Sequence, residues 1–142
     1  MDTAKEPGII FLGVVVERIR FDDIPSGVSA PQDLQYQVGI QRRELQDPKA
    51  AEIILNMRVF GGADVAKFNL EVSVSARFQP DESSANMPLS EFLKSQAPAL
   101  VMPFVRELVA NITFRSRRGL VLLPPINVLA LVQREEVERA TV

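Results

Sequence analysis

The sequence predicts an α+β fold: a four-stranded antiparallel sheet, then a long helix and a second, C-terminal helix packed on one face. Three observations support this prediction. Apolar and polar residues alternate with a period of two in the first half of the chain, which is typical of half-buried strands. From Pro98 onward, apolar residues recur at helical spacing. A chain of 142 residues, 46% of them hydrophobic, suffices for one core, so we expect a single domain over residues 1–142.

The first predicted strand runs from about Ile9 to Phe21, and its first half, up to Val16, is apolar on both faces. In so small a domain, a strand that needs covering on both sides predicts contact with a second subunit. The apolar run is too short to span a bilayer, and no small-x-small cleavage site follows it. We therefore expect neither a signal peptide nor direct membrane insertion.

Three further segments alternate and predict strands with one buried face and one face towards water or a polar partner. Their apolar positions are Leu34, Tyr36, Val38 and Ile40; then Ile53, Leu55, Met57 and Val59; then Phe68, Leu70, Val72, Val74, Ala76 and Phe78. The short Gly-rich turn from Gly61 to Asp64 predicts a hairpin of the third and fourth strands. Connections this short make the sheet antiparallel.

The second half of the chain predicts helices. Pro88–Leu93 suits a short helix, and the long helix should run from Pro98 to about Arg117. Pro103 lies inside it, so either the first turn is close to that proline or the helix kinks there. The prolines make Leu120–Pro125 an extended apolar loop, and a last helix is expected from about Ile126 to Arg139.

The composition limits the chemistry. The chain has no Cys, His or Trp, so thiolate nucleophiles, imidazole bases, and thiolate and imidazole metal ligands are all missing. We expect no enzymatic activity, no cofactor and no metal site. The net charge of −2 argues against nucleic acid as the main partner. The arginines at 115, 117 and 118 fit the cation preference of a helix C-terminus better than a phosphate site.

Three sequence motifs resemble the SecB family of chaperones. Ala97–Glu107 (APALVMPFVRE) is similar to the opening of the family's long helix, and Leu123–Val128 (LPPINV) is similar to the stretch that connects its helices. Ile19–Asp22 (IRFD) resembles the end of its first strand. The segment Arg115–Gly119 departs from the family's helix-ending sequence. The resemblance implies a cytoplasmic, ATP-independent chaperone that assembles as a homotetramer, a dimer of dimers.

The resemblance also implies where client polypeptides bind. SecB-like chaperones line hydrophobic grooves with the second strand and with the connection after the long helix. The matching residues in this chain are Val38, Ile40, Leu120, Val121, Leu122 and Leu123. From composition alone, packing of this connection on the core is the favoured interpretation; the resemblance favours a binding surface.

The resemblance further implies delivery of precursor proteins to SecA, the motor of the Sec translocase. Members of the family dock a small basic segment of SecA on acidic residues of the polar sheet face. Asp22 and Glu71 keep the acid at two such positions, whereas Arg18 and Asn69 depart from the pattern. We therefore expect weak, salt-dependent docking. An alternative is a SecB-like chaperone dedicated to one client, such as the antitoxin of a toxin–antitoxin system.

Overall fold

A computed structural model describes residues 8–45, 50–61, 67–81, 88–127 and 138–141. Their elements are β1 (Ile9–Asp22), β2 (Gln35–Leu45), β3 (Ala50–Gly61), β4 (Phe68–Pro80), α1 (Leu89–Ser95), α2 (Ala97–Thr113) and β5 (Glu138–Thr141). All strands join one antiparallel sheet in the order β1-β4-β3-β2-β5. The α+β class and the four predicted antiparallel strands are confirmed, and the short β5 is added at the edge beside β2.

The two faces of the sheet differ as the period-two pattern predicts. The inner face carries the buried apolar residues of β3 and β4, such as Leu55 and Val72, and both helices pack on it. The rings of Phe78 on β4 and Phe92 on α1 meet with their centroids 5.1 Å apart. The outer face carries the polar residues between them, such as Glu71. The core therefore lies between the inner face and the helices.

The predicted hairpin of the third and fourth strands is confirmed. β3 and β4 pair in an unbroken antiparallel register from Ala51 opposite Phe78 to Gly61 opposite Phe68. The remaining residues of the predicted turn lie outside the described part of the chain. Because the register is continuous, the alternating residues of both strands stay on the same two faces along their whole length.

β1 is less regular than the other strands. Its pairing with β4 shifts between Phe11 and Gly13 and again between Val16 and Arg18. Gly13 adopts a φ of 142°, which glycine tolerates better than other residues, at the first shift. Each irregularity resets which residues face the helices. Even so, Ile10 and Val15 lie opposite Gln79 and Ser75 of β4 on the outer face, so the first half of the strand is apolar on both faces.

Both described helices begin where they were predicted, but the long helix ends earlier. α1 is confirmed, and α2 begins at Ala97 and continues through Pro103, which has no N–H to donate within the helix. α2 ends at Thr113 instead of Arg117, because the chain turns back through Gly119, where φ is +91°. Neither described helix is long and apolar enough to cross a membrane.

The predicted last helix, Ile126–Arg139, needs correction at both ends. Ile126 and Asn127 are not helical, and residues 128–137 lie outside the described part of the chain. Glu138 and Arg139 belong to β5, which pairs with the first residues of β2. This pairing gives backbone groups at the start of β2 hydrogen-bond partners that a helix would not have provided.

Candidate functional site

Hydroxyl groups fix the connection that follows α2. The side chain of Thr113 is fully buried, and its Oγ1 donates to the carbonyl of Val109 (2.8 Å) and accepts from the N–H of Val121 (2.9 Å). Ser116 Oγ donates to the carbonyl of Thr113 (2.7 Å) and accepts from the N–H of Gly119 (3.1 Å). Two short side chains therefore turn the chain at the end of α2 and hold the returning connection against it.

The connection alternates between buried and exposed apolar residues, as a strand would. Val121 and Leu123 are buried in the core, and the guanidinium of Arg106 donates to the carbonyl of Leu123 (3.0 Å). Leu120 and Leu122 are 47% and 69% exposed. These two leucines are called the lip below. They stay exposed because hydrogen bonds fix the backbone of their neighbours, Val121 and Leu123.

The two predicted client contacts on β2 differ in accessibility. Val38 is fully buried in the core, whereas Ile40 is half-buried and packs against that core. Val38, Val121 and Leu123 thus lie beneath the surface, and Ile40 and the lip reach it. The predicted set therefore divides into residues that are buried in the core and residues that reach the surface.

A second apolar surface was not predicted as a site. A groove of about 420 Å³ between β1 and α2 is lined by Phe11, Val14, Val16, Val74, Phe104, Glu107, Leu108 and Asn111. The rings of Phe11 and Phe104 stack with their centroids 6.2 Å apart. Phe104 belongs to the apolar stripe of the long helix, yet it is exposed. The available signal was the apolar character of β1 on both faces, which already indicated surface that the sheet alone does not cover.

The outer face carries a polar depression of about 610 Å³. Its walls come from all four long strands: Arg18, Arg20, Gln37, Gly39, Ile40, Gln41, Asn56, Met57, Arg58, Glu71, Val72 and Ser73. Three of these residues are arginines and one is a glutamate. Arg20 and Arg58 were not singled out from the sequence, because only their strand register places them beside Glu71.

Both acids predicted to dock SecA have arginine neighbours. The carboxylate of Glu71 lies 4.0 Å from Nη2 of Arg18 and 3.9 Å from Nε of Arg58. Asp22 lies 3.4 Å from Nε of Arg20. Asp22 and Glu71 are on neighbouring strands, where Asp22 pairs with Asn69 and Glu71 with Arg20. The structure brings the two acids close together but partly compensates their charge.

Charged side chains link separate strands over the outer face. Arg43 on β2 contacts the buried Glu52 on β3, and its Nη2 lies 3.5 Å from the carboxylate of Glu17 on β1. β4 and β3 lie between β1 and β2 in the sheet. The side chains of Arg43 and Glu17 therefore reach towards each other across two intervening strands on the outer face. They line a hollow beside the polar depression.

Comparisons with known proteins agree with this architecture. The sequence model of the family described as preprotein translocase subunit SecB matches residues 14–139. The protein-export protein SecB of Rhodospirillum centenum is 29% identical in an alignment of 115 residues that covers 76% of this chain. The chain spans 64% of the length of that relative.

A solved structure shows the same fold. The SecB-like chaperone Rv1957 of Mycobacterium tuberculosis, in complex with a ChAD peptide from the Rv1956 HigA1 antitoxin, superposes with a TM-score of 0.61. The match covers 84% of this chain and 91% of that one, at 15% identity. Because the family's sequence model spans nearly the whole chain and the fold agrees, this chain belongs to the SecB family.

Proposed function

We propose that this single-domain protein is a cytoplasmic chaperone that holds non-native polypeptides without ATP and without covalent chemistry. The observation that supports the proposal best is the lip. Two large apolar side chains stand exposed on a connection whose backbone is fixed by Thr113 and Arg106. Exposed apolar groups on a rigid frame are typical of binding surfaces.

Apolar capture suits unfolded clients. Burial of apolar surface contributes roughly 25 cal/mol per Å² and has little directional preference. Many sequences can therefore bind the same surface, whereas a folded protein hides the segments that would bind. In this proposal Leu120, Leu122 and Ile40 contact the client, and Val38, Val121 and Leu123 support them from the core.

Assembly as a homotetramer, a dimer of dimers, is part of the proposal. β1 lies at an edge of the sheet, and Val15 on it is 61% exposed. The groove between β1 and α2 is mostly apolar, and the exposed Phe104 is one of the residues that line it. We assign β1 and this groove to subunit contacts, which leaves the lip for clients.

Delivery of bound precursors to SecA is the finer part of the proposal. The acids Asp22 and Glu71 would dock its basic segment. Because arginines lie within 4.0 Å of each acid, they partly neutralise its charge and weaken its attraction for the basic segment. The remaining attraction is screened over about 8 Å at physiological salt. Docking is therefore expected to be weak and to vanish as salt rises.

The paired acids favour a second candidate, a chaperone dedicated to one client. Such a protein needs no SecA contact, so compensated acids on the outer face would cost it nothing. Rv1957 is described with a peptide from an antitoxin, and by analogy the client here would be one labile protein. A pull-down that recovers one stoichiometric client supports this candidate, and a broad set of precursors supports the general chaperone.

The lip provides the direct test of polypeptide binding. The double variant Leu120→Ser with Leu122→Ser should weaken capture of a fluorescently labelled, permanently unfolded protein, measured by anisotropy. The matched control is Phe114→Ser, which removes an exposed apolar side chain outside the lip. Circular dichroism and light scattering verify fold and assembly. Unchanged capture by the folded lip variant rejects the lip as the site, and no capture by the native protein rejects the chaperone function.

A further inference from the structure

The polar depression has an excess of positive charge in a chain whose net charge is −2. Arg18, Arg20 and Arg58 line it together with one acid, Glu71, and Arg20 is paired with Asp22 beside the depression, which leaves Arg18 and Arg58 against Glu71. The neighbouring hollow on the same face is balanced, because its two arginines lie with two glutamates. The positive charge is thus concentrated in one part of the outer face.

Two arginines of the depression, Arg18 and Arg58, are available to a ligand. The side chains of Arg18 and Arg58 are well exposed, and their contacts with Glu71 are longer than hydrogen bonds. Arg58 is oriented by Asn69, whose Oδ1 accepts from its Nε at 2.6 Å, and by the ring of Phe60 beneath its guanidinium. A guanidinium held in place with its charge only partly compensated is suited to a carboxylate.

We propose that the polar depression binds an acidic, extended segment of a partner protein. The arginines would pair with Asp or Glu side chains of that segment. The amide side chains of Gln37 and Gln41, on the opposite wall, offer donors and acceptors to its backbone. Glu71 disfavours a nucleic acid, whose phosphates follow one another without gaps, more than a peptide with spaced acids. This inference concerns the face opposite the helices. Ile40, a proposed client contact, also lines the depression, but the arginines that carry the inference are not client contacts.

The test uses three fluorescent probes with the full chain at low salt: a peptide of Glu and Ser, a peptide of Lys and Ser, and a single-stranded oligonucleotide. The Glu and Ser peptide should bind best. The double variant Arg18→Gln with Arg58→Gln should weaken its binding by at least about fivefold, as expected for partly exposed ion pairs. The control Arg77→Gln with Lys94→Gln changes the net charge equally outside the depression and should leave binding unchanged.

Two further variants keep the result interpretable. Glu71→Gln removes the one acid that lines the depression and should tighten binding of the Glu and Ser peptide. Arg18→Lys with Arg58→Lys keeps the positive charge and should retain binding of the Glu and Ser peptide. Retained binding shows that the first double variant loses the peptide through its lost charge and not through misfolding. Preferential binding of the Lys and Ser peptide or of the oligonucleotide overturns the proposal. Equal loss in the control pair, or no gain with Glu71→Gln, also overturns it.

Discussion

β1 and β3 are strands of one sheet with similar apolar content, yet they differ in what covers them. β3 has a strand on each side and helices on its inner face, and Ile53, Leu55 and Val59 are fully buried. β1 lies at the edge, and Val15 and Ile19 remain 61% and 49% exposed. An apolar pattern therefore indicates a strand, but the neighbours of that strand decide whether its apolar surface is core or contact surface.

A substitution of a buried residue in β3 should have the largest effect on stability. Leu55→Ala removes a fully buried side chain of β3 and should lower the free energy of unfolding by about 3 kcal/mol, since the cavity cannot collapse completely. The comparison variant is Val15→Ala in β1, which should cost far less within the chain. Urea denaturation followed by circular dichroism measures both. Similar losses for the two variants would contradict the distinction between the strands.

The exposed apolar surface of β1 predicts that polar substitutions there weaken assembly. Val15→Ser together with Ile19→Ser removes apolar surface from both faces of β1 and should weaken association by about 2 kcal/mol, roughly thirtyfold. Light scattering coupled to gel filtration should report about four chains for the native protein and fewer for the variant on dilution. Leu122→Ser, outside the proposed contact, should keep the native mass. A native protein that elutes as a monomer excludes the proposed assembly.

The connection after α2 shows the same contrast between buried and exposed apolar residues over a few positions. Thr113 holds the connection in that arrangement. Thr113→Val keeps the shape of the side chain but leaves the buried N–H of Val121 without its acceptor, at a cost of about 1–2 kcal/mol. Thr113→Ser retains the hydroxyl and should cost less. Urea denaturation measures stability, and anisotropy with an unfolded client measures whether the lip has moved. If valine is as stable as threonine, the hydroxyl does not fix the connection.

Local patterns predicted most of the fold, and non-local contacts account for the rest. The alternation in β4 placed Phe68 to Phe78 correctly, because each residue's face depends only on its own strand. β5 was missed, since pairing with β2 depends on a partner distant in sequence. The helix signal through Arg117 overlooked the turn that Ser116 and Gly119 form. Propensity near a helix end is weak compared with such capping contacts.

The candidate site follows the same division between local and non-local information. The resemblance implied the connection as a client-binding surface, which stays a prediction, and the structure shows that Leu120 and Leu122 are exposed. It did not distinguish Val121 and Leu123, because only the bonds to Thr113 and Arg106 decide which residues turn inward. The arginine environment of Glu71 was equally hidden, since it arises from register across three strands.

The smallest expected effect concerns the outer face and its proposed docking of SecA. Exposed ion pairs contribute about 0.2–1 kcal/mol each, so native docking should be detectable only at low salt. Glu71→Lys should abolish it, because the basic segment would then meet lysine beside Arg18 and Arg58. Arg18→Asp should strengthen it. Calorimetry with SecA at low and high salt measures both variants.

The acidic-segment proposal predicts the opposite order for a Glu and Ser peptide. The Glu71→Lys variant should bind that peptide more tightly, and the Arg18→Asp variant more weakly. If SecA binding responds to neither change while the peptide responds to both, the outer face recognises acidic partners, and the dedicated chaperone becomes the better account of this protein.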